Sequence, residues 1–184
     1  MRRVCSIVAA VTCACSAFAH AEDRPLFPQG TWDVEAFGGY ASEVYPNDHQ
    51  KITTATLGVG YYLKDNFAIS LQVPGYYVQQ ADDHADAIGF NLSLRYHFYQ
   101  AGRFTFFADI IGGLSQASRE VPPGGTHFNF TLQFGPGVTY ELVDHVHLYG
   151  GARLFHLSNA AIEGIDRNPD LNAIQGYAGV MFTF

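Results

Sequence analysis

The sequence predicts an all-β fold, namely an eight-stranded antiparallel transmembrane β-barrel. Three observations lead to this prediction. The chain opens with an export signal, eight later segments of about ten residues alternate apolar and polar positions, and short connections between these segments alternate with long ones. Strands of that length can cross a bilayer when they are tilted.

Residues 1–21 have the features of a secretory signal peptide, which leaves residues 22–184 to form the outer-membrane β-barrel. Arg2 and Arg3 precede a short apolar stretch, and Ala19-His20-Ala21 provides a small-x-small cleavage site. Cleavage there removes all three cysteines, so the mature chain has no disulfide or thiol chemistry. It also shifts the formal net charge from −7 to −9, which argues against nucleic acid bound through a basic surface.

Strands one to four are predicted from apolar residues at every second position, which give each strand one apolar face. In the first strand, Asp33 and Glu35 lie on the face opposite Trp32 and Val34. The fourth strand has the most regular alternation in the chain. The four predicted ranges are 32–40, 54–63, 67–73 and 88–98.

Strands five to eight follow the same period. A turn at 100–103 precedes the fifth strand, in which Thr105 and Asp109 oppose an apolar face, and a Pro-Gly-rich loop around 122–125 precedes the sixth. The four predicted ranges are 104–114, 128–134, 146–158 and 171–184.

The two faces of these segments favour a membrane barrel over a soluble β-sandwich. The apolar face would meet lipid, while the polar face would fill an interior that eight strands make just wide enough for side chains. The protein is therefore expected in the Gram-negative outer membrane. The expected interior residues are Asp33, Arg95, His97, Asp109, Gln133 and Arg153, and the expected aromatic strand ends are Tyr61, Tyr62, Phe98, Tyr99, Tyr140 and Tyr149.

The lengths of the connections predict which end of the barrel faces outward. Outer-membrane barrels keep short turns on the periplasmic side and long loops outside. His156 and Ser158 precede a long connection and are therefore expected near the outer leaflet. The short connections lie near 64–66, 99–103 and 141–145, and the long ones near 42–50, 79–87, 115–127 and 159–170.

His156 and Ser158 interrupt the apolar face of the seventh strand, since counting back by twos reaches Leu154 and Leu148. Residues two apart on a strand project from the same side, so the imidazole can reach the serine hydroxyl. A His-x-Ser pair alone is a weak signal. Polar groups that face hydrocarbon are unfavourable unless they have partners, and a lipid substrate would explain their position.

The segment 155–160, with sequence Phe-His-Leu-Ser-Asn-Ala, is followed by Asn168-Pro169 and an aromatic-ended last strand. This pattern resembles the lipid A 3-O-deacylases (PagL-type, acyloxyacyl hydrolase family) of Gram-negative outer membranes. The resemblance implies a serine esterase that removes the 3-O-linked acyl chain from lipid A of lipopolysaccharide, with no metal or cofactor. Its partners would be lipopolysaccharide and outer-membrane lipid; a homodimer is left open.

By this resemblance, His156 is the general base and Ser158 the nucleophile. The third member of the triad is left open between two residues. Counting fourteen residues from the histidine gives Asp170, whereas alignment on Asn-Pro-Gly-x-Glu gives Asn172, and an Asn can hold an imidazole tautomer as an acid does. The sequence slightly favours Asn172.

The resemblance also places Asn159 and Ala160 where donors to an oxyanion are expected, through a side chain or a backbone amide. Glu163 and Asp166, in the loop that follows, are further alternatives for the acid.

Other functions stay open at this point. A non-catalytic outer-membrane barrel is the alternative from another class, and a lipid A acyltransferase or a phospholipase of the same architecture is the alternative among enzymes. His145 and His147 form a His-x-His pair with no evident third metal ligand. The acidic segment 82–86 could bind divalent ions that accompany lipopolysaccharide, although a solvated loop explains it more simply.

Overall fold

The computed structural model describes residues 25–46 and 49–184 of the protein. The predicted signal peptide lies outside the described residues. A short 3-10 helix, Ile165–Arg167, lies between the last two strands. The eight strands are β1 (Trp32–Tyr45), β2 (Lys51–Lys64), β3 (Phe67–Gln79), β4 (His84–Ala101), β5 (Phe104–Val121), β6 (Thr126–Val143), β7 (Val146–Ser158) and β8 (Leu171–Thr183).

The eight strands form a closed antiparallel barrel. Each strand pairs with the next, and β8 pairs with β1. The predicted fold class is therefore confirmed. Closure pairs the backbone of every strand on both sides, which is the condition for a β-structure to cross a bilayer. Within the described part of the chain, no helix is long and apolar enough to span a membrane.

Side chains alternate between the lipid-facing and interior surfaces as predicted. All six polar residues expected in the interior are buried. Two of the expected aromatic strand ends, Tyr62 and Tyr149, are buried inside the barrel instead. The reason is parity, because Tyr62 follows the outward Tyr61, and Tyr149 lies an even number of residues before the inward Arg153.

The interior is layered along the barrel axis. Arg95 and Arg153 lie in the middle and pair with Glu35 at 3.2 Å and Asp109 at 2.7 Å. Toward the short turns lies an aromatic layer into which Phe27 inserts, fully buried and stacked on Tyr62. Toward the long loops lies the outer apolar cluster, defined as Ala41, Ile52, Tyr76, Val78, Ala85, Ala117, Val121, Phe155, Leu157, Leu171 and Ala173.

The structure corrects the extent of β1 to β6, all of which are longer than predicted. Two of the connections at the outer end shrink to residues 80–83 and 122–125, whereas the sequence predicted loops near 79–87 and 115–127. The strand period continues through these segments because Ala85, Ala117 and Val121 point inward and pack in the outer apolar cluster. Polar residues on the outward face concealed the pattern in the sequence.

The connections still distinguish the two ends of the barrel. At one end they are the two-residue turns 65–66, 102–103 and 144–145. Each contains a residue with positive φ, namely Asn66, Gly102 or His145, as tight hairpin turns require. At the other end they include the twelve-residue segment 159–170, here called the β7–β8 loop. Because outer-membrane barrels keep their long loops outside, this asymmetry predicts that the β7–β8 loop faces the outside of the cell.

Candidate active site at the outer end of strands seven and eight

Two adjacent strands bring the candidate residues together. His156 on β7 lies directly opposite Asn172 on β8, and Ser158 projects from the same outward face two residues further along. On the other side, β6 places Leu132 opposite His156. All three polar side chains are half-buried on the surface that faces lipid. Strand register alone therefore produces the cluster.

The side chains form one continuous hydrogen-bond chain. Ser158 Oγ lies 3.0 Å from His156 Nε2, and His156 Nδ1 lies 2.8 Å from Asn172 Oδ1. The chain continues from Asn172 Nδ2, which donates to Asp170 Oδ2 at 2.8 Å. With Nδ1–H donated to Asn172, the lone pair of Nε2 is directed at the serine hydroxyl. This is the tautomer that a general base for serine requires.

The structure separates the two residues between which the sequence left the third position open. Asn172 contacts the imidazole, whereas Asp170 contacts Asn172 and does not reach the imidazole. The two loop acids lie elsewhere, because Glu163 pairs with Arg167 at 2.8 Å and Asp166 is exposed in the 3-10 helix. The fourteen-residue spacing that pointed to Asp170 falls two residues short of Asn172, the residue that the strand register places opposite His156.

Asn159 holds the loop in shape. Its side chain and its backbone amide, which the sequence predicts as oxyanion donors, are both engaged within the loop. Asn159 is 1% exposed. Its side-chain amide donates to the carbonyl of Arg167, and its backbone N–H donates to Asn168 Oδ1 at 3.0 Å. Its side-chain oxygen accepts the N–H of Ala161 at 2.8 Å. These contacts occupy Asn159 within the β7–β8 loop.

Ala160, the other residue predicted as an oxyanion donor, differs from Asn159 in its contacts. It is exposed, and its backbone N–H has no hydrogen-bond partner among the described residues. Ala160 and Ala161 both have positive φ, at 53° and 58°. Such strain in non-glycine residues is common where a site needs a particular backbone geometry. Here it begins two residues after the serine.

An apolar groove adjoins the cluster on the lipid-facing surface. It has a volume of about 160 Å³, and its lining includes Val44, Leu132 and Leu154 together with His156 and Asn172. Its walls come from strands on both sides of the cluster. An alkyl chain placed in this groove would lie against the His156 side chain.

The barrel interior supports the cluster from behind. Phe155 and Leu157 alternate with His156 and Ser158 along β7, and Leu171 and Ala173 flank Asn172 on β8. All four point inward and are buried in the outer apolar cluster. Because buried side chains there are closely packed, the strands have little freedom to shift relative to one another.

His97, His147 and the acidic segment have structural partners. His97 is buried between Thr105 and Tyr62, and His147 contacts Thr183 Oγ1 at 3.2 Å. In the acidic segment, Asp83 pairs with Arg119 at 3.1 Å. Across residues 25–46 and 49–184, no group of three or more His, Cys, Asp or Glu side chains is arranged to hold a metal ion.

Sequence reasoning missed one residue that shapes the site. Arg167 joins the β7–β8 loop to the neighbouring β5–β6 turn, through Glu120 at 3.1 Å and the carbonyl of Gly125 at 3.0 Å. These partners are more than forty residues away in the chain. Of the partners of Arg167, only Glu163, four residues before it, could have been recognised from sequence spacing.

Comparison with known proteins bears mainly on the fold. The family described as outer membrane protein beta-barrel domain matches residues 6–184. No curated protein matches the sequence.

Three solved structures show the same architecture at low identity. Neisserial surface protein A is 18% identical with a TM-score of 0.66, covering 85% of this chain and 100% of its own. The outer membrane enzyme PagL is 16% identical with a TM-score of 0.56, covering 83% and 98%. The N-terminal β-barrel domain of Pseudomonas aeruginosa OprF is 17% identical with a TM-score of 0.53, covering 85% and 98%.

Proposed function

This chain belongs to the outer membrane protein beta-barrel family of the Gram-negative outer membrane, and we propose that it is a serine esterase that removes the 3-O-linked acyl chain from lipid A. The observation that carries the proposal is the hydrogen-bond chain from Ser158 through His156 to Asn172 on the lipid-facing surface. A non-catalytic barrel has no need for a His-Ser pair on the surface that meets lipid.

The proposed reaction begins at Ser158. His156 Nε2 takes the hydroxyl proton as the oxygen attacks the ester carbonyl, and Asn172 holds the resulting imidazolium through Nδ1–H. The Ala160 N–H stabilises the oxyanion. When the carbon–oxygen bond to the sugar breaks, the sugar oxygen takes the proton from His156 and an acyl-enzyme remains.

Water completes the cycle. His156 Nε2 accepts a proton from a water molecule as the water oxygen attacks the acyl-serine carbonyl. The bond to Ser158 Oγ then breaks, the serine recovers its proton from the imidazolium, and the fatty acid leaves. Each step uses side chains or backbone of this chain alone.

The position of the cluster supports a lipid of the outer leaflet as the substrate. His156 and Ser158 lie at the end of the barrel that carries the β7–β8 loop, on the face exposed to lipid. The apolar groove beside them can hold part of an alkyl chain. Lipopolysaccharide is the lipid whose acyl chains occupy that leaflet.

The test is mass spectrometry of lipid A from cells that express the wild-type protein, Ser158→Ala or Ser118→Ala. Ser118 is a matched control, because it is an exposed serine at the same end of the barrel and contacts the backbone of Asp86. We expect loss of one 3-O-linked acyl chain with the wild type and Ser118→Ala, and unmodified lipid A with Ser158→Ala.

The same experiment separates the alternative functions when the phospholipids of the same cells are measured beside lipid A. Unmodified lipid A and intact phospholipid with all three folded proteins would favour a non-catalytic barrel. Gain of an acyl chain on lipid A would indicate an acyltransferase, and release of fatty acid from phospholipid with unmodified lipid A would indicate a phospholipase.

A further inference from the structure

We infer that Asp170 is a positioning residue that sets the orientation of the Asn172 amide and thereby the tautomer of His156. The inference about orientation stands on hydrogen bonding alone; its kinetic consequence rests on the proposed esterase. An asparagine amide can present either its oxygen or its nitrogen to a neighbour, and only one of these orientations suits a general base at position 156.

The direction of each hydrogen bond follows from the carboxylate. Asp170 can only accept, so Asn172 must present Nδ2–H to Asp170 Oδ2, 2.8 Å away. The amide oxygen is then directed at His156 Nδ1, which must carry the proton. Nε2 is left with its lone pair toward Ser158 Oγ. In the flipped amide, Nδ2–H would donate to Nδ1, so the imidazole proton would lie on Nε2. Nε2 would then have no lone pair with which to accept the serine proton.

The surroundings of Asp170 direct its charge at Asn172. Among the described residues, no Lys or Arg forms an ion pair with Asp170, so no cation competes for its oxygens. Pro169 restricts the backbone just before it, and Asn168 is held by the Asn159 backbone N–H. The carboxylate is therefore held beside the amide by the end of the β7–β8 loop.

The carboxylate also acts through the amide on the imidazolium that forms during the reaction. An amide whose N–H is donated to a carboxylate has a more negative oxygen, because hydrogen bonds in a chain polarise one another. That oxygen contacts Nδ1–H of the imidazolium that forms during the reaction. Asp170 and Asn172 together would thus do the work that one carboxylate does in a Ser-His-Asp triad.

The kinetic test is a double-mutant cycle on the folded protein in detergent with lipid A as substrate. In the wild-type background, Asp170→Ala should lower kcat about tenfold with KM changed by less than about twofold, as expected for the loss of one oriented hydrogen bond. In the Asn172→Asp background, the new carboxylate accepts Nδ1–H by itself. Asp170→Ala should then cause no loss of kcat and can raise it, because it removes a like charge beside the new carboxylate.

Two further variants serve as controls. Asp170→Asn keeps an acceptor oxygen without the charge, and we expect a smaller loss than for Asp170→Ala. Asp166→Ala removes an exposed carboxylate of the same loop that does not contact the cluster, and should retain wild-type kcat. Equal losses from Asp170→Ala in both backgrounds would show a structural effect on the loop and overturn the inference.

A spectroscopic readout tests the orientation without any substrate. Nitrogen-15 NMR of labelled histidine should show His156 as the Nδ1–H tautomer in the wild type and a mixture of tautomers in Asp170→Ala. An unchanged tautomer in Asp170→Ala would also overturn the inference. If the wild type shows no esterase activity at all, the proposed function fails, while the NMR result still decides the role of Asp170.

Discussion

His156, Ser158 and Asn172 are polar residues in a surface that faces hydrocarbon, and they hydrogen-bond to one another. Their side-chain atoms pair at 2.8 and 3.0 Å, and Asp170 takes the remaining Asn172 donor. Paired polar groups near the membrane interface are far less unfavourable than unpaired ones. Because the partners lie on adjacent strands, the pairs form without moving the backbone.

Replacing Asn172 should show what its amide oxygen contributes at the scale of one residue. Asn172→Ala leaves Nδ1–H of His156 without an acceptor, so we expect kcat for deacylation to fall by about tenfold to a hundredfold, with little change in KM. The matched control is Ile174→Ala, which alters the same outward face of β8 two residues away. Steady-state kinetics on purified protein measure both; a loss of similar size in the control would contradict the assignment.

The β7–β8 loop shows how one buried side chain organises an element. Asn159 ties the start of the loop to its end through Arg167 and Asn168, and it supports the positive φ of Ala161 through its side-chain oxygen. Left-handed backbone is unfavourable by about 1–2 kcal/mol for each non-glycine residue. The conformation after the serine therefore depends on Asn159.

We predict that Asn159→Ala loosens this loop while the barrel stays folded. The variant loses its buried side-chain contacts, and we expect faster proteolytic cleavage within 159–170 and at least about tenfold lower activity. Arg167→Ala should have a smaller effect, because its ion pairs with Glu120 and Glu163 are largely exposed.

Limited proteolysis measures the cleavage within 159–170, and an activity assay on the same samples measures the loss of activity. A loss of activity in Asn159→Ala without faster cleavage would instead indicate that Asn159 donates directly to the oxyanion.

The barrel as a whole depends on charges buried at its centre. Arg153 and Asp109 are joined by two hydrogen bonds, and their side chains are 1% and 0% exposed. Arg95 lies 3.6 Å from the same carboxylate. Removing one partner of such a pair leaves a charge in a place that water does not reach.

Comparing a buried ion pair with an exposed one tests how far the stability of the whole barrel depends on its buried charges. Asp109→Ala should lower the free energy of unfolding by about 3–5 kcal/mol, since it leaves the buried Arg153 without its carboxylate partner. Asp83→Ala breaks the Arg119 pair, whose side chains are 64% and 43% exposed, and should change it by less than about 1 kcal/mol. Denaturant unfolding of protein in lipid vesicles measures both, and equal effects would refute the prediction.

Much of the architecture was predictable because strand alternation is a local property. The apolar positions of β7 and β8 located both strands, and β7 was predicted with the bounds that it has, Val146–Ser158. The same parity put His156 and Ser158 on the lipid-facing surface. The ends of β4, β5 and β6 were less predictable, because beyond the membrane their outward residues become polar and the pattern weakens.

By itself, the sequence determined the eight-stranded barrel, its place in the outer membrane and the outward direction of His156 and Ser158, since each follows from the order of residues along one strand. Only the tertiary structure showed that Asn172, and not Asp170, is hydrogen-bonded to His156, and that Asn159 is engaged within its loop. Those outcomes depend on the register between β7 and β8 and on the path of residues 159–170. Register and loop path arise from contacts between distant parts of the chain, which no local pattern records.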